Sequence, residues 1–150
     1  MEDIDTIERH IDIDATAARV WELISEPGWY VNDGELRDHR RENRGDVTVV
    51  HDSVHGEFAF VTVELDEPRY AAFRWLQQAD DPASASTLVE FRIVERPSGG
   101  VTLSVTESGF ASLPGSAADR RKAFDGNLEG WIEELEVAKA HCESSPQVRP

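Results

Sequence analysis

Along TIERHIDI, residues 6 to 13, apolar and polar positions alternate, with Ile7, Arg9, Ile11 and Ile13 on one face and Thr6, Glu8, His10 and Asp12 on the other. This period of two predicts a half-buried strand. The period changes in DATAARVWELISEPGWY, where Val20, Trp21 and Ile24 fall at helical spacing, Asp14 or Thr16 can cap the start, and Pro27-Gly28 ends the helix. A second short helical turn is expected around Trp29 and Tyr30. From about Leu36 to Phe110 the chain reads as consecutive strands, broken by turn signals at Arg44-Gly45-Asp46, His55-Gly56, Glu67-Pro68, Asp80 to Ser86 and Pro97 to Gly100. Alternation is clearest for Val101, Leu103 and Val105, and it recurs for Val89, Phe91 and Ile93 and for Ala71, Phe73 and Trp75. The segment is predicted to be an antiparallel meander.

Two stretches fit the pattern less simply. In GEFAFVTVEL, Ala59, Val61, Val63 and Leu65 share one face and leave Phe58 and Phe60 on the other. Either a bulge or packing at the sheet rim accommodates the pair, or two aromatics form an interface that could support self-association. After SLPGSAAD a long helix is predicted to about His141, with Phe124, Leu128, Trp131, Leu135 and Ala138 as its apolar stripe. Gly126 and Gly130 lie one turn apart in that helix, each costing roughly 1 kcal/mol relative to Ala. The polar tail ESSPQVRP is expected to be disordered. Residues 1–142 are therefore read as one domain and 143–150 as a tail.

Composition narrows the partners. Thirty acidic side chains against fifteen basic ones give a formal charge of −15, which disfavours nucleic acid and anionic membranes and favours neutral or cationic partners. Only Lys122 and Lys139 are lysines. The single cysteine, Cys142, has no partner for an intramolecular disulfide, which fits a reducing compartment. MEDIDTIERH is acidic where a signal peptide is basic, and no run is long enough to span a bilayer. A cytoplasmic protein is expected, without membrane insertion, as a monomer or weak homodimer.

The order strand, helix, helical turn, antiparallel strands, long helix defines an α+β class in which the helix must cover one sheet face. Four segments in that order carry a resemblance: IERHIDIDATAARVWELISEPGWY, ELDEPRYAAFRW, GVTLSVTESGF and NLEGWIEELE. Together they resemble the START/Bet v 1-like superfamily, in particular the branch named after the activator of the Hsp90 ATPase. The resemblance spans roughly residues 6 to 140. It implies a helix-grip fold: a curved antiparallel sheet of about seven strands around a long C-terminal helix, two short helices after the first strand, and a cavity between sheet and helix. In such a fold Gly126 and Gly130 would bare the inner surface of the last helix, leaving room or allowing bending; close packing without a ligand is the other reading.

The candidate chemistry is mainly an apolar lining. Trp29, Tyr30, Phe73, Trp75, Phe91, Leu103, Phe124 and Trp131 could all face the space between sheet and helix, where aromatics supply area for a hydrophobic ligand. Asn127, with Arg9 or Arg74, could orient it, although Arg74 has the wrong parity for the Phe73 and Trp75 face. His51, His55 and Glu57 invite a metal reading, as more weakly do His141 and Cys142, but HDSVHGE straddles a predicted turn. The basic island RDHRRENR, Arg37 to Arg44, reads as an anion clamp or as an exposed strand paired with nearby carboxylates. Glu107 and Asp125 could be cavity carboxylates, with a strand-end surface position and a solvated helix position as the plainer readings. There is no nucleophile elbow, no phosphate loop and no paired zinc-ligand motif, so neither a catalytic residue, a metal nor a cofactor is assigned. The expected function is binding of a hydrophobic or amphipathic small molecule. The resemblance also implies two alternatives: a protein-interaction or co-chaperone-like module, and a cyclase- or hydrolase-like enzyme acting on an aromatic or polyketide substrate.

Overall fold

The computed structural model describes residues 5–32, 39–53, 56–79, 81 and 83–144. Strand β1 spans Thr6–Ile13 and helix α1 Ala17–Ile24; β2 (Arg40–Arg44), β3 (Val47–Asp52), β4 (Gly56–Asp66), β5 (Tyr70–Leu76), β6 (Ser86–Glu95) and β7 (Val101–Ser108) come next. A single 3-10 turn at Phe110–Ser112 leads into helix α2, Ala117–Glu143. Among the described residues the seven strands form one antiparallel sheet in the order β1-β7-β6-β5-β4-β3-β2. Strands β2 to β7 are neighbours in sequence and in space, whereas β1 pairs with β7 at the far edge. The chain between β1 and β2 must therefore cross the sheet from edge to edge.

The crossing begins with α1, capped by the Thr16 hydroxyl, which accepts from the Arg19 backbone N–H at 3.2 Å. The helix stops at Ile24 because Pro27 offers no donor and Gly28 sits at φ +75°. In place of the second helical turn expected around Trp29 and Tyr30, residues 25–30 form hydrogen-bonded turns, with Trp29 N–H on the Glu26 carbonyl and Val31 N–H on the Gly28 carbonyl. Those turns lay Trp29 and Tyr30 flat into the concave face of the sheet, where they are 1% and 5% exposed.

Helix α2 covers the same face. Ser116 and Asp119 form a reciprocal capping box at its start. Its other end is tied down by Arg19, which donates to the carbonyls of Cys142 (2.9 Å), His141 (3.1 Å) and Ser144 (3.2 Å), a cation placed where the helix dipole is negative. Cys142 is buried against the core, and burial pushes its thiol up to about 11, so it is a packing residue and not a reactive one. The tail from residue 145 lies outside the described residues. Among the described residues no helix is long and apolar enough to cross a membrane.

The Phe58 and Phe60 question resolves through the register of β4. Phe60 stands opposite Trp75, and the pairing with β5 shifts between Thr62 and Glu64. Before this bulge Phe58 and Phe60 point into the concave core, with Phe60 fully buried. The bulge reading therefore holds over the interface alternative, and on the opposite face Ala59 packs with Val47, Val49 and Leu76 in a second cluster. Beyond the bulge Val63 and Leu65 are about half exposed.

Two glycines should respond oppositely to alanine. A Cβ at Gly28 would lie 2.6 Å from Val50 Cγ2 and 2.7 Å from Phe60 Cε2, in a left-handed backbone. One at Gly126 would meet nothing within 4 Å, and nothing in the structure explains a glycine there. Gly28→Ala is expected to lose about 2–4 kcal/mol and Gly126→Ala to gain up to about 1 kcal/mol, both read from urea unfolding.

Candidate functional site: a two-lobed cavity over a buried carboxylate

Along β7 the inward positions are Val101, Leu103, Val105 and then Glu107, so the alternation that builds the core delivers a carboxylate to its end. Glu107 has no exposed surface. Such burial requires partners, and three neutral groups supply them. The Thr87 hydroxyl at the start of β6 donates at 2.6 Å, the Asn127 amide at 3.0 and 3.2 Å, and the Trp131 indole at 2.8 Å. Asn127 and Trp131 are four residues apart on α2 and so share one face of the helix. Burial raises the Glu107 carboxyl above its usual range, opposed in part by the hydrogen bonds from Thr87, Trp131 and Asn127.

Tyr30 lies beside this cluster. Its ring meets Trp131 in a tilted contact (centroids 4.9 Å apart, planes at 54°) and Phe60, Trp75 and Phe91 at 5.4 to 5.7 Å. Its hydroxyl is buried with no hydrogen-bond partner, as is the indole N–H of Trp29. Burial, and secondarily the Glu107 charge, hold the phenol protonated well above its ordinary range.

Space opens around this cluster in two lobes. The larger, about 270 Å³, is bounded by Phe58, Trp75, Thr87, Glu107, Phe110 and Asn127 among others. The smaller, about 90 Å³, lies between Tyr30, Trp75, Asn127, Gly130, Trp131 and Glu134. Trp75 and Asn127 border both lobes. At the smaller lobe the Asn32 amide donates to Glu134 at 2.7 Å and to the Trp29 carbonyl at 2.8 Å, tying the crossing segment to α2.

The residues singled out in the sequence divide accordingly. Tyr30, Trp75, Asn127 and Trp131 border the lobes, whereas Trp29, Phe73, Phe91 and Leu103, at most 1% exposed, are solid core beneath them. Phe124 packs edge-on to Phe110. Gly130 borders the smaller lobe, but Gly126 is exposed and bares no inner surface. Arg9 donates to the neighbouring Glu8 carbonyl, and Arg74, on the outer face as its parity requires, donates to Ser86 Oγ. Asp125 is exposed and paired with Arg121.

The polar surface clusters account for themselves locally. His51 sits between Glu42 (3.1 Å) and Glu57 (3.2 Å), and His55 lies outside the described residues. Among those residues no group of three or more His, Cys, Asp or Glu is arranged to hold a metal ion. Of the basic island, Arg37 falls outside the described residues, Arg41 donates to the Pro27 carbonyl and Arg44 pairs with Glu42. A buried pair of His39 and Asp52 (3.5 Å) was not foreseen; the other ring nitrogen of His39 meets the Val31 carbonyl, so both nitrogens are engaged.

Of the two readings of Glu107, the buried cavity carboxylate holds and the strand-end surface position does not; what the sequence reading missed is Thr87 and Glu134. Parity was the available signal: Glu107 continues the inward series 101, 103, 105, and Thr87 precedes the inward series 89, 91, 93.

These features define a helix-grip fold, a curved seven-stranded sheet gripping one long helix. The chain is similar in structure to the Aha1 dimer of Colwellia psychrerythraea (16% identity, TM-score 0.62, 92% of this chain and 96% of that one). It is likewise similar to the ZhuI aromatase/cyclase of Streptomyces sp. R1128 (19% identity, TM-score 0.63, 92% and 93% covered) and to protein CV1439 of Chromobacterium violaceum (18% identity, TM-score 0.66, 94% and 99% covered). No family model matches the chain, and none of the curated proteins matches it in sequence.

Glu134 supplies a pH test of the site. Burial pushes it from 4.5 to about 7, with the Asn32 hydrogen bond opposing and Glu133 adding to the rise. A carboxyl raised in the folded state destabilises the fold once the unfolded chain ionises, so the penalty begins near pH 4.5 and is complete above about 7. Glu134→Gln removes it while keeping an oxygen for Asn32. The variant is expected to gain stability relative to the parent as pH rises through that window, in urea unfolding at fixed ionic strength; a flat difference would show Glu134 to be solvated.

Proposed function

We propose that the protein binds a small amphipathic molecule in the two-lobed cavity, its apolar body against Trp75, Phe58 and Trp131 and its polar end toward Tyr30, Asn127 and Glu107. The observation that carries this reading is the Tyr30 hydroxyl. A buried hydroxyl without a partner costs on the order of 1–3 kcal/mol, and here it belongs to a residue that borders open space. A ligand group bonded to it would recover that cost. The larger lobe approaches the size of ordinary small-molecule sites, about 300 Å³ and upward.

The test is titration of isotope-labelled protein with fatty acids, sterols, flavonoids and aromatic polyketides, following the indole resonances. Saturable shifts at Trp75 and Trp131 are expected. Gly130→Leu refines it: a Cβ at 130 meets nothing within 4 Å, so the side chain can enter the smaller lobe without backbone strain. This variant should keep its stability and bind the same ligand about tenfold more weakly or worse, with Gly126→Leu as the exposed control. Equal affinity in both variants would remove the smaller lobe from the site.

A catalytic reading has one observation behind it. Glu107 is a buried carboxyl with a raised pKa beside a phenol, the composition of an acid–base pair, and one structural relative is named as an aromatase/cyclase. On that reading an aromatic polyketide bound by the parent is converted to product and Glu107→Gln binds without converting it. Binding by the parent with no product leaves the protein a binder.

A further inference from the structure

We propose that the ligand of this cavity is an organic cation, a compact amine or quaternary ammonium carried on an apolar or aromatic body. This rests on the binding reading above and adds the charge of the ligand to it.

The first observation is the cavity's one-sided charge. None of the described residues bordering either lobe is Lys, Arg or His, whereas three are glutamates: Glu57, Glu107 and Glu134. Glu57 is exposed and has His51 as its partner. The other two are held differently. Glu107 is met only by a hydroxyl, an amide and an indole N–H, and the hydrogen bond found at Glu134 comes from the Asn32 amide. Neutral donors satisfy the lone pairs of a carboxylate and leave its charge standing. Burial raises both carboxyls, Glu134 to about 7, so a cationic head beside them is the ligand group that would favour their ionised forms.

The second observation is independent of the carboxylates. Among the described residues the buried Tyr30 hydroxyl has no partner, Tyr30 borders the smaller lobe, and its oxygen can accept an ammonium N–H. Tyr30, Trp75 and Trp131 border the same lobe, and aromatic rings attract cations through the negative charge of their faces. Aromatic rings, an acceptor oxygen and two carboxyls that meet no basic side chain among the described residues all favour one ligand charge.

Alternative ligand charges meet this site poorly. A carboxylate or phosphate head would find no cation on the lining and two carboxylates nearby. A neutral head could bond Tyr30 but would gain nothing from Glu107 and Glu134. The net charge of −15 also draws cations toward the protein at long range.

The experiment uses three indoles of one shape and different charge: tryptamine, tryptophol and indole-3-acetate, titrated by calorimetry and protein NMR at neutral pH and fixed ionic strength. Tryptamine is expected to bind at least about tenfold tighter than tryptophol, with indole-3-acetate weakest and shifts saturating at Trp75 and Trp131. Glu134→Gln and Glu107→Gln should each narrow the ratio of tryptamine to tryptophol affinity; Glu134→Gln serves alone where Glu107→Gln fails to fold. Tryptophol or indole-3-acetate binding as tightly as tryptamine would overturn the cation inference and leave the cavity reading standing. Tryptamine shifts that spread over surface carboxylates without saturating would overturn it too. Silence from all three indoles while the lipid and polyketide panel binds also refutes the cation; silence from both sets refutes both readings.

Discussion

One helix is too narrow for this sheet. Seven strands spaced about 4.8 Å apart present a concave face roughly 29 Å across, and a helix with its side chains covers about 10 Å of it. The remaining cover comes from the edge-to-edge crossing between β1 and β2. Gly28 lets the chain turn tightly against Val50 and Phe60, and the next two residues, Trp29 and Tyr30, fill the gap beside α2. Tyr30 is the joint of the lid, in ring contact with sheet (Phe60, Trp75, Phe91) and helix (Trp131) together.

The cavity lies where that lid thins. Along α2 the apolar stripe is fully buried from Trp131 through Leu135 and Ala138 to Cys142, but Phe124 and Leu128 are only half covered. The larger lobe sits at this first half of the helix, over the ends of β5 and β7 and the beginnings of β4 and β6. Glu107 marks the boundary. Its carboxylate draws Asn127 and Trp131 to the sheet and fixes the rotation of α2 about its own axis, because removing either donor would leave a charge buried with too few partners.

The fold leaves function open. The helix-grip architecture is shared with proteins as different as an Aha1 dimer and an aromatase/cyclase at 16% and 19% identity, and activity resides in sites grafted on such a frame. Within this frame the chain's own cavity holds carboxyls bonded to neutral donors, an unpartnered phenol and no basic side chain among the described residues of the lining. That content bears on the charge of a ligand more than on its shape.

The sequence by itself determined the strands, the long helix and which face of each is apolar, since period 2 and period 3.6 are local properties of the chain. Ile7 and Ile13, Val89 to Ile93, Val101 to Val105 and the Trp131, Leu135, Ala138 stripe all lie inward as their spacing requires. It also contained the parity of Glu107, although a carboxylate after three apolar positions reads as the end of a strand until its donors are known. Those donors stand 20 and 24 residues away along the chain. Only the tertiary structure decided that Phe58 and Phe60 are core, because a bulge and a second buried face cannot be told from a rim by alternation. It alone separated Tyr30, Trp75, Asn127 and Trp131 at open space from Trp29, Phe73, Phe91 and Leu103 in solid packing, since a cavity is the volume that side chains from distant segments fail to fill.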